Sequence, residues 1–157
     1  MSRDAEGLVR LLDGTGAHAS TVESLEDLDE ERAAARLEGW PHSCHEILLH
    51  MVFWQDLFLA RLEERPAPLP SSAAEGWPAP ERNRWSDTLG RFTRGLEAAK
   101  GRAREDDLDA RLGDWRGIAR GEGLSILAQH NSYHLGQIVL LRRVLGAWPP
   151  PGGGDTW

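Results

Sequence analysis

The chain is poor in cysteine, in long apolar runs and in basic charge. Its single cysteine, Cys44, excludes an internal disulfide and is typical of a reducing compartment. No apolar run approaches the roughly 20 residues that a membrane-spanning helix requires. The net charge of -7 disfavours nucleic acid as a partner, because phosphate binding needs a basic face. The N-terminal residues lack the basic-then-apolar layout of a signal peptide, so we expect a cytoplasmic protein that binds neither membrane nor nucleic acid.

The rest of the composition is ordinary for a globular domain, with tryptophan as the exception. Hydrophobic residues make up 40% and charged residues 27% of the 157 residues, which suffice for one domain with a buried core. The chain has seven Trp, against three Phe and one Tyr. We therefore expect a single domain over residues 1–157.

Apolar residues recur at helical spacing in four segments. These are residues 3–29, a stretch from just after His42 to before Pro66, a stretch from near Pro80 to about Lys100, and residues 123–145. Gly14 and Gly16 interrupt the first segment and predict a kink or a split there. Because no strand pattern of useful length appears, the sequence predicts an all-α fold, a four-helix bundle.

The segments that connect the predicted helices also contain patterns that predict local structure. Ser43 followed by Glu46 predicts a capping box at the start of the second helix. Residues 66–80, between the second and third helices, are rich in Pro and Ser and predict a long ordered loop or flap. Residues 113–123 are too rich in glycine for an assignment. The C-terminal tail, residues 147–157, is rich in Pro and Gly and is predicted to be non-helical.

Three histidines are the candidate functional residues. His130 and His134 lie four residues apart, which puts both rings on one helix face within reach of one metal ion. His50, inside an apolar run of the second helix, is the candidate for a third ligand. Burying an imidazole without a partner costs about 1–3 kcal/mol, and one ion would satisfy all three rings. Histidine ligands suit Zn, Ni, Fe or Cu.

A second interpretation of these histidines stays open at this point. Each of them can equally be a hydrogen-bonded core residue, and a pair at this spacing has a real false-positive rate as a metal motif. No Glu directly follows His130, so the zinc-protease pattern with its built-in base is absent. Spacing alone does not choose between a metal site and a buried polar cluster.

Several neighbours are weaker candidates for a role beside the three histidines. Gln137 and Glu46 each lie one helical turn from a proposed ligand and are candidates for the second shell or the pocket wall, although the capping role is the better interpretation of Glu46. Trp54 follows His50 by one turn and suits a core or a pocket wall, and Tyr133 lies within the histidine motif.

The remaining histidines and the cysteine receive no role from the sequence. His18, His42 and His45 are interpreted as ordinary residues, the last two because they flank a helix start. Cys44 is interpreted as a small buried residue, with a reactive thiol as the alternative.

Three stretches of the chain resemble the DinB/YfiT-like superfamily of metalloenzymes. They are Gln129-His130-Asn131-Ser132-Tyr133-His134-Leu135-Gly136-Gln137-Ile138, residues 40–50 with Trp54-Gln55-Asp56, and a tail of Trp148-Pro149-Pro150-Pro151 with Gly153, Asp155 and Trp157. The resemblance implies a four-helix bundle in which His50, His130 and His134 are the metal ligands. It also implies a homodimer, as is frequent in the superfamily.

The resemblance implies a function as well. Three protein ligands leave a coordination position open, as in catalytic sites. Some relatives are S-transferases that use bacillithiol or mycothiol, so we expect a transferase that needs Zn, Ni or Fe, a low-molecular-weight thiol as co-substrate and a small electrophilic substrate. A metal-dependent hydrolase and a non-catalytic, metal-binding stress-response bundle are the alternatives.

Overall fold

The regular structure of this chain is helical throughout the part that the computed structural model describes, residues 3–105, 107–113 and 115–154. The helices are α1 (Arg3–Asp13), α2 (Glu30–Ala34), α3 (Cys44–Leu62), α4 (Trp85–Glu105) and α5 (Arg120–Val144), with 3₁₀ turns at Glu23–Leu25 and Ala73–Gly76. Within these ranges the β structure is limited to one isolated bridge between Arg111 and Ala119. The four longer helices form a bundle in which α3 packs against α4 and α5, and α1 packs against the same two helices. The predicted all-α bundle is confirmed.

The first predicted helix is split, and its second half is mostly not helical. Helix α1 ends at Asp13, and Gly14 and Gly16 follow with φ of 77° and 91°. This left-handed region favours glycine, so the two residues turn the chain out of the helix. Between them and residue 29 only a 3₁₀ turn forms, and the expectation of helix up to residue 29 is wrong there.

Helix α3 begins and ends where the sequence predicts. The Ser43 side chain accepts a hydrogen bond from the Glu46 backbone N–H at 3.2 Å, and the Glu46 carboxylate accepts one from the Ser43 N–H at 2.8 Å. This reciprocal pair is the predicted capping box. The helix ends at Leu62, before Pro66, and the segment to residue 84 contains no α-helix.

Helix α4 differs from its predicted limits at both ends, and helix α5 differs at its N-terminus. Helix α4 starts at Trp85, five residues after Pro80, and continues past Lys100 to Glu105. The Trp85 backbone N–H donates to the Glu30 carboxylate at 2.9 Å, and its indole N–H donates to the Leu28 carbonyl at 2.6 Å. These distant contacts explain the late start. Helix α5 starts at Arg120, three residues earlier than predicted.

The core lies between the four longer helices, and the predicted stripe of α5 faces it. Fully buried side chains include Leu48, Met51, Phe92, Leu96, Leu124, Leu127, Ile138 and Leu141. The tail is non-helical over residues 147–154, as predicted, whereas Asp155 and Trp157 lie outside the described residues. None of the helices in the described part of the chain combines the length and the apolar content that a membrane crossing needs.

Candidate metal centre

The bundle brings His50, His130 and His134 together. His50 lies on α3, the other two lie on α5, and these helices pack against each other. One ring nitrogen from each histidine lies within 4.8 Å of the other two. The Nε2 atoms of His50 and His130 are 3.2 Å apart, and the His134 ring centroid is 4.5 Å from each of theirs. His50 and His134 are buried, and His130 is half-buried.

Two hydrogen bonds determine which nitrogen the rings of His50 and His134 offer to an ion. His50 Nδ1 lies 2.5 Å from the Gly76 carbonyl oxygen, and His134 Nδ1 lies 2.8 Å from Gln137 Oε1. Both partners are acceptors, so Nδ1 carries the proton in each ring. The Nε2 atoms of His50 and His134 therefore keep their lone pairs, which are what a metal ion binds.

Burial keeps these imidazoles neutral. It lowers the pKa of His50 and of His130 to about 4 and lowers the pKa of His134 from its usual value. Desolvation is the main cause in each, and neighbouring histidines add to it because one positive charge disfavours the next. Neutral imidazole is the form that coordinates a metal, so the three rings are in the binding form at neutral pH.

The donor set fits a divalent transition metal. Two nitrogens on one tetrahedral ion with bonds of about 2.0–2.1 Å lie about 3.3 Å apart, close to the observed Nε2 separation of 3.2 Å. Imidazole ligands suit Zn, Ni and Fe, and do not distinguish among them. Among the residues that the structure describes, no further His, Cys, Asp or Glu joins this group. His50, His130 and His134 therefore form a candidate three-ligand site.

The loop between α3 and α4 covers the site through Gly76 and Trp77, to which the sequence analysis assigned no role. Gly76 supplies the carbonyl that holds His50, and the Trp77 ring stacks on His50 with ring centroids 3.8 Å apart. His42, interpreted from the sequence as ordinary, stacks on the same indole, also at 3.8 Å. No local pattern predicts these contacts, because the loop has no periodicity.

The weaker sequence candidates divide into three that contact a proposed ligand and one that does not. Gln137 hydrogen-bonds to His134, as described above. The Trp54 ring centroid lies 6.3 Å from that of His50, and Tyr133 contacts His134 edge-on at 5.0 Å. The Glu46 carboxylate instead caps α3 and pairs with Arg36, which agrees with its capping role.

Cys44 and two further histidines lie elsewhere in the bundle. Cys44 is fully buried, and desolvation raises the pKa of its thiol to about 11, so the reactive thiolate form is disfavoured. His45 is also buried and lies 3.0 Å from the Thr88 hydroxyl. His18 lies on the other side of α5, where it hydrogen-bonds to Ser132 at 3.0 Å.

A cavity of about 380 Å³ lies between α3, the end of the long loop and α4. Leu49, Val52 and Phe53 give it apolar walls, and Pro78 belongs to the loop that covers His50. Arg84 and Arg91 also line it, together with acidic residues. This cavity is large enough for a small molecule, but none of the three histidines lines it.

In this helical bundle, two facing helices bring three imidazoles to one point. That arrangement defines a class of candidate metalloproteins. The family comparison gives the particular group. The chain matches the DinB superfamily over residues 15–138, which is most of its length, and it belongs to that superfamily. No curated protein and no solved structure matches the chain.

Proposed function

We propose that this chain is a divalent-metal-dependent transferase that joins a low-molecular-weight thiol of the bacillithiol type to a small electrophile. The observation that carries the proposal is the set of three neutral imidazoles around one point, with no fourth protein ligand among the described residues. Catalytic sites leave a coordination position open in this way, whereas structural sites are closed. When bound, the ion supplies Lewis acidity, which lowers the pKa of a thiol or a water.

The chain's own residues have separable tasks in this reaction. The Gly76 carbonyl and Gln137 hold the tautomers of two imidazoles, and Trp54 and Trp77 shield the site from water. In the transfer, the thiol sulfur forms a bond to the electrophilic carbon. The leaving group departs with the electron pair of the broken bond, and the thiol proton passes to solvent.

Room for the electrophile is the second requirement. The 380 Å³ cavity between α3 and α4 combines apolar side chains such as Leu49 and Phe53 with several charged ones, but none of the three histidines lines it. We therefore place the electrophile beside the three histidines and give this cavity no role in the transfer. The cytoplasm, where reduced thiols are abundant, is the proposed location.

Two other functions use the same three histidines. A metal-dependent hydrolase would place water where the transferase places the thiol. A non-catalytic stress-response bundle would use the ion for stability, and it would then be expected to close the site with a fourth ligand. The described residues supply no fourth ligand, which favours an enzyme over this last alternative.

The first experiment measures metal content by plasma mass spectrometry on the untagged protein. We expect near-stoichiometric Zn, Ni or Fe in the wild type, and loss of the ion in both His50→Ala and His130→Ala. His18→Ala is the matched control and should retain the ion, since His18 contacts Ser132 and none of the three ligands. A wild type without metal, even after reconstitution with each ion, would overturn the proposal.

The second experiment separates the three functions. The metal-loaded protein is mixed with a chromogenic aryl halide or with a chromogenic ester, each with and without a low-molecular-weight thiol. Thiol-dependent loss of halide supports the transferase. Ester cleavage that needs no thiol would replace it with the hydrolase. No turnover, together with a large metal-dependent rise in Tm, would replace it with the non-catalytic bundle.

A further inference from the structure

Outside the metal centre, one serine hydroxyl is hydrogen-bonded to a histidine. The Ser132 hydroxyl on α5 lies 3.0 Å from Nε2 of His18, which belongs to the segment between α1 and α2. His18 Nδ1 lies 2.8 Å from the Ala19 carbonyl oxygen. Because this oxygen can only accept, Nδ1 carries the proton, and Nε2 of the neutral ring accepts the hydrogen bond that Ser132 donates. Ser132 is therefore paired with a group that can take its proton.

This pairing differs from that of three other hydroxyl groups on the two longest helices. Ser125 in α5, and Thr88 and Thr93 in α4, each donate to the backbone carbonyl four residues earlier. A serine or threonine inside a helix commonly bonds in this way. Ser132 instead bonds to a residue 114 positions away in the sequence. The tertiary structure therefore sets the direction of the Ser132 hydroxyl.

The backbone around His18 holds its ring in one position. Gly14 has φ of 77°, and a side chain added there would begin 2.0 Å from His18 Cε1, so the ring fills space that glycine leaves free. The Ala19 carbonyl also fixes which nitrogen carries the proton. In a Ser-His-Asp triad a carboxylate orients the base, and here a backbone carbonyl has that place. His18 is therefore oriented as a general base.

A cavity of about 170 Å³ opens beside this pair. Ser132 and His18 both line it, and Leu135, Val139 and Trp148 give it apolar walls. Small-molecule sites combine apolar walls with a few polar groups that orient the ligand. The volume and the walls suit a short apolar acyl group next to the Ser132 hydroxyl.

Two further residues of α5 suit this cavity to an ester. Gly136 lines it one helical turn after Ser132, and no atom of the described chain lies within 4 Å of the place where a Gly136 side chain would begin. A reactant therefore has room beside the hydroxyl. Arg143 also lines the cavity, and its guanidinium lies 5.4 Å from the centroid of the Trp148 ring. A positive charge there can offset the negative charge that develops on a carbonyl oxygen under attack.

We propose that Ser132 and His18 form a second site, independent of the metal, that hydrolyses small carboxylic esters through an acyl-serine. Ser132 Oγ forms a bond to the ester carbonyl carbon, and His18 Nε2 takes the hydroxyl proton. The bond to the leaving oxygen breaks, and this oxygen keeps the electron pair and receives the proton from His18. Water then adds to the acyl carbon and gives a proton to His18. The carboxylic acid departs, and the proton returns to Ser132.

A fluorophosphonate probe tests the nucleophile, because an activated serine oxygen forms a bond to its phosphorus and releases fluoride. The metal-loaded wild type should be labelled at Ser132, as located by peptide mass spectrometry, and Ser132→Ala should not be labelled. The matched control is Ser125→Ala, which should be labelled like the wild type, since the Ser125 hydroxyl donates to a carbonyl of its own helix. A wild type that is unlabelled, or labelled only at another residue, would overturn the proposal.

His18→Gln tests the base. Glutamine can still form a hydrogen bond to Ser132, but it cannot take the hydroxyl proton. The rate of labelling should fall by about 100-fold or more, which is the usual contribution of a general base. Circular dichroism checks that the variant is folded. A folded His18→Gln protein with the labelling rate of the wild type would show that the hydrogen bond is only structural, against the proposal.

Gly14→Ala and Gly16→Ala form a second test that leaves His18 in place. Both glycines have positive φ, 77° and 91°, so alanine strains the backbone at either position. Only the new Cβ at residue 14 meets the His18 ring, because nothing in the described chain lies within 4 Å of the one at residue 16. Gly14→Ala should slow labelling by about 100-fold, since a small misplacement of a catalytic group can cost that much. Gly16→Ala should not, and equal rates in the two variants would contradict the proposal.

Turnover of p-nitrophenyl acetate separates this site from the metal centre. Cleavage by Ser132 should begin with a burst of p-nitrophenol, should persist after treatment of the wild type with EDTA and should be absent from Ser132→Ala. Cleavage that stops with EDTA and survives in Ser132→Ala would belong to the metal centre. That result would overturn the serine site and would leave the metal-dependent functions untouched.

Discussion

Two of the three proposed metal ligands, His50 and His134, each depend on a single acceptor that leaves the other ring nitrogen free. His134 receives its acceptor, Gln137, from the next turn of the same helix, whereas His50 receives its acceptor, the Gly76 carbonyl, from a distant loop. The outer partner of a metal-binding histidine fixes the ring orientation and the tautomer. At the residue scale, therefore, metal affinity should depend on residues that never touch the ion.

Replacing Gln137 tests this dependence. Gln137→Leu removes the acceptor for His134 Nδ1, and loss of such an outer partner typically weakens metal binding by roughly 10–100-fold. Gln137→Glu is the matched control, because its carboxylate still accepts the hydrogen bond. Competition titration with a chromophoric chelator measures both affinities. Equal affinity of Gln137→Leu and the wild type would contradict a supporting role for Gln137.

His45 provides a prediction of pH dependence away from the metal centre. Burial lowers the pKa of His45 from its ordinary 6.5 in the folded state, so below pH 6.5 the unfolded chain binds more protons there. The free energy of unfolding should therefore fall as the pH drops below about 6.5. Above about pH 6.5, the free energy of unfolding should not depend on the protonation of His45.

His45→Gln is the variant that isolates this effect. Glutamine keeps a polar group for Thr88 but does not titrate. Urea unfolding of the metal-free protein between neutral and mildly acidic pH should show a shallower loss of stability in the variant, while the other buried histidines keep the rest of the slope. Identical slopes for variant and wild type would exclude a neutral, buried His45.

At the scale of the element, α3 shows how a local signal positions a distant site. The capping box of Ser43 and Glu46 fixes the first turn, and His50 lies on the same face one helical turn after Glu46. Arg36 also pairs with Glu46, so the cap ties the preceding loop to the helix. The residue at which α3 starts therefore determines the position along α5 at which His50 lies.

Removing the cap tests its contribution. Ser43→Ala deletes the acceptor for the Glu46 backbone N–H and should lower the free energy of unfolding by about 1 kcal/mol. Ser86→Ala is the control, because Ser86 is exposed near the start of α4. Chemical denaturation compares the two variants. A Ser43→Ala protein as stable as Ser86→Ala would mean that the capping box contributes nothing measurable.

At the scale of the whole molecule, one buried arginine joins the end of α5 to the segment before α2. Arg142 is almost fully buried and donates to the Ala147 carbonyl at 3.0 Å and to the Glu26 carbonyl at 2.8 Å. It also donates to the Ser24 carbonyl and lies over the Trp148 ring. A guanidinium with several donors can satisfy several carbonyls at once, which lysine cannot do in the same geometry.

Arg142→Met tests this clamp. Methionine fills similar space but leaves buried carbonyls without a donor, so we expect a loss of about 3 kcal/mol in the free energy of unfolding. Arg143→Met is the matched control, because Arg143 also lies over Trp148 but is exposed. Its loss should stay below about 1 kcal/mol, the usual range for surface sites. Equal effects of the two variants would contradict a special role for Arg142.

The sequence by itself determined the features that depend on neighbours along the chain. Helical spacing placed His130 and His134 on one face of α5, and the capping box fixed the start of α3, because both signals act within one or two turns. The split after Asp13 was also predicted, since glycine conformation is a local property. The sequence did not correctly predict the extent of helix beyond Gly16, because apolar residues at helical spacing also occur in packed loops.

Only the tertiary structure decided which distant groups meet. The late start of α4 depends on Glu30 and Leu28, and the tautomer of His50 depends on the carbonyl of Gly76. Trp77 and His42 join the site because the long loop folds back over α3. The sequence does not indicate these contacts. Every residue has a backbone carbonyl, so no residue type marks the one that accepts the hydrogen bond, and the loop has no repeating pattern of residue types. The sequence therefore named three candidate ligands and a loop or flap over residues 66–80. Only the tertiary structure brought the ligands together and placed Gly76 and Trp77 of that loop against His50.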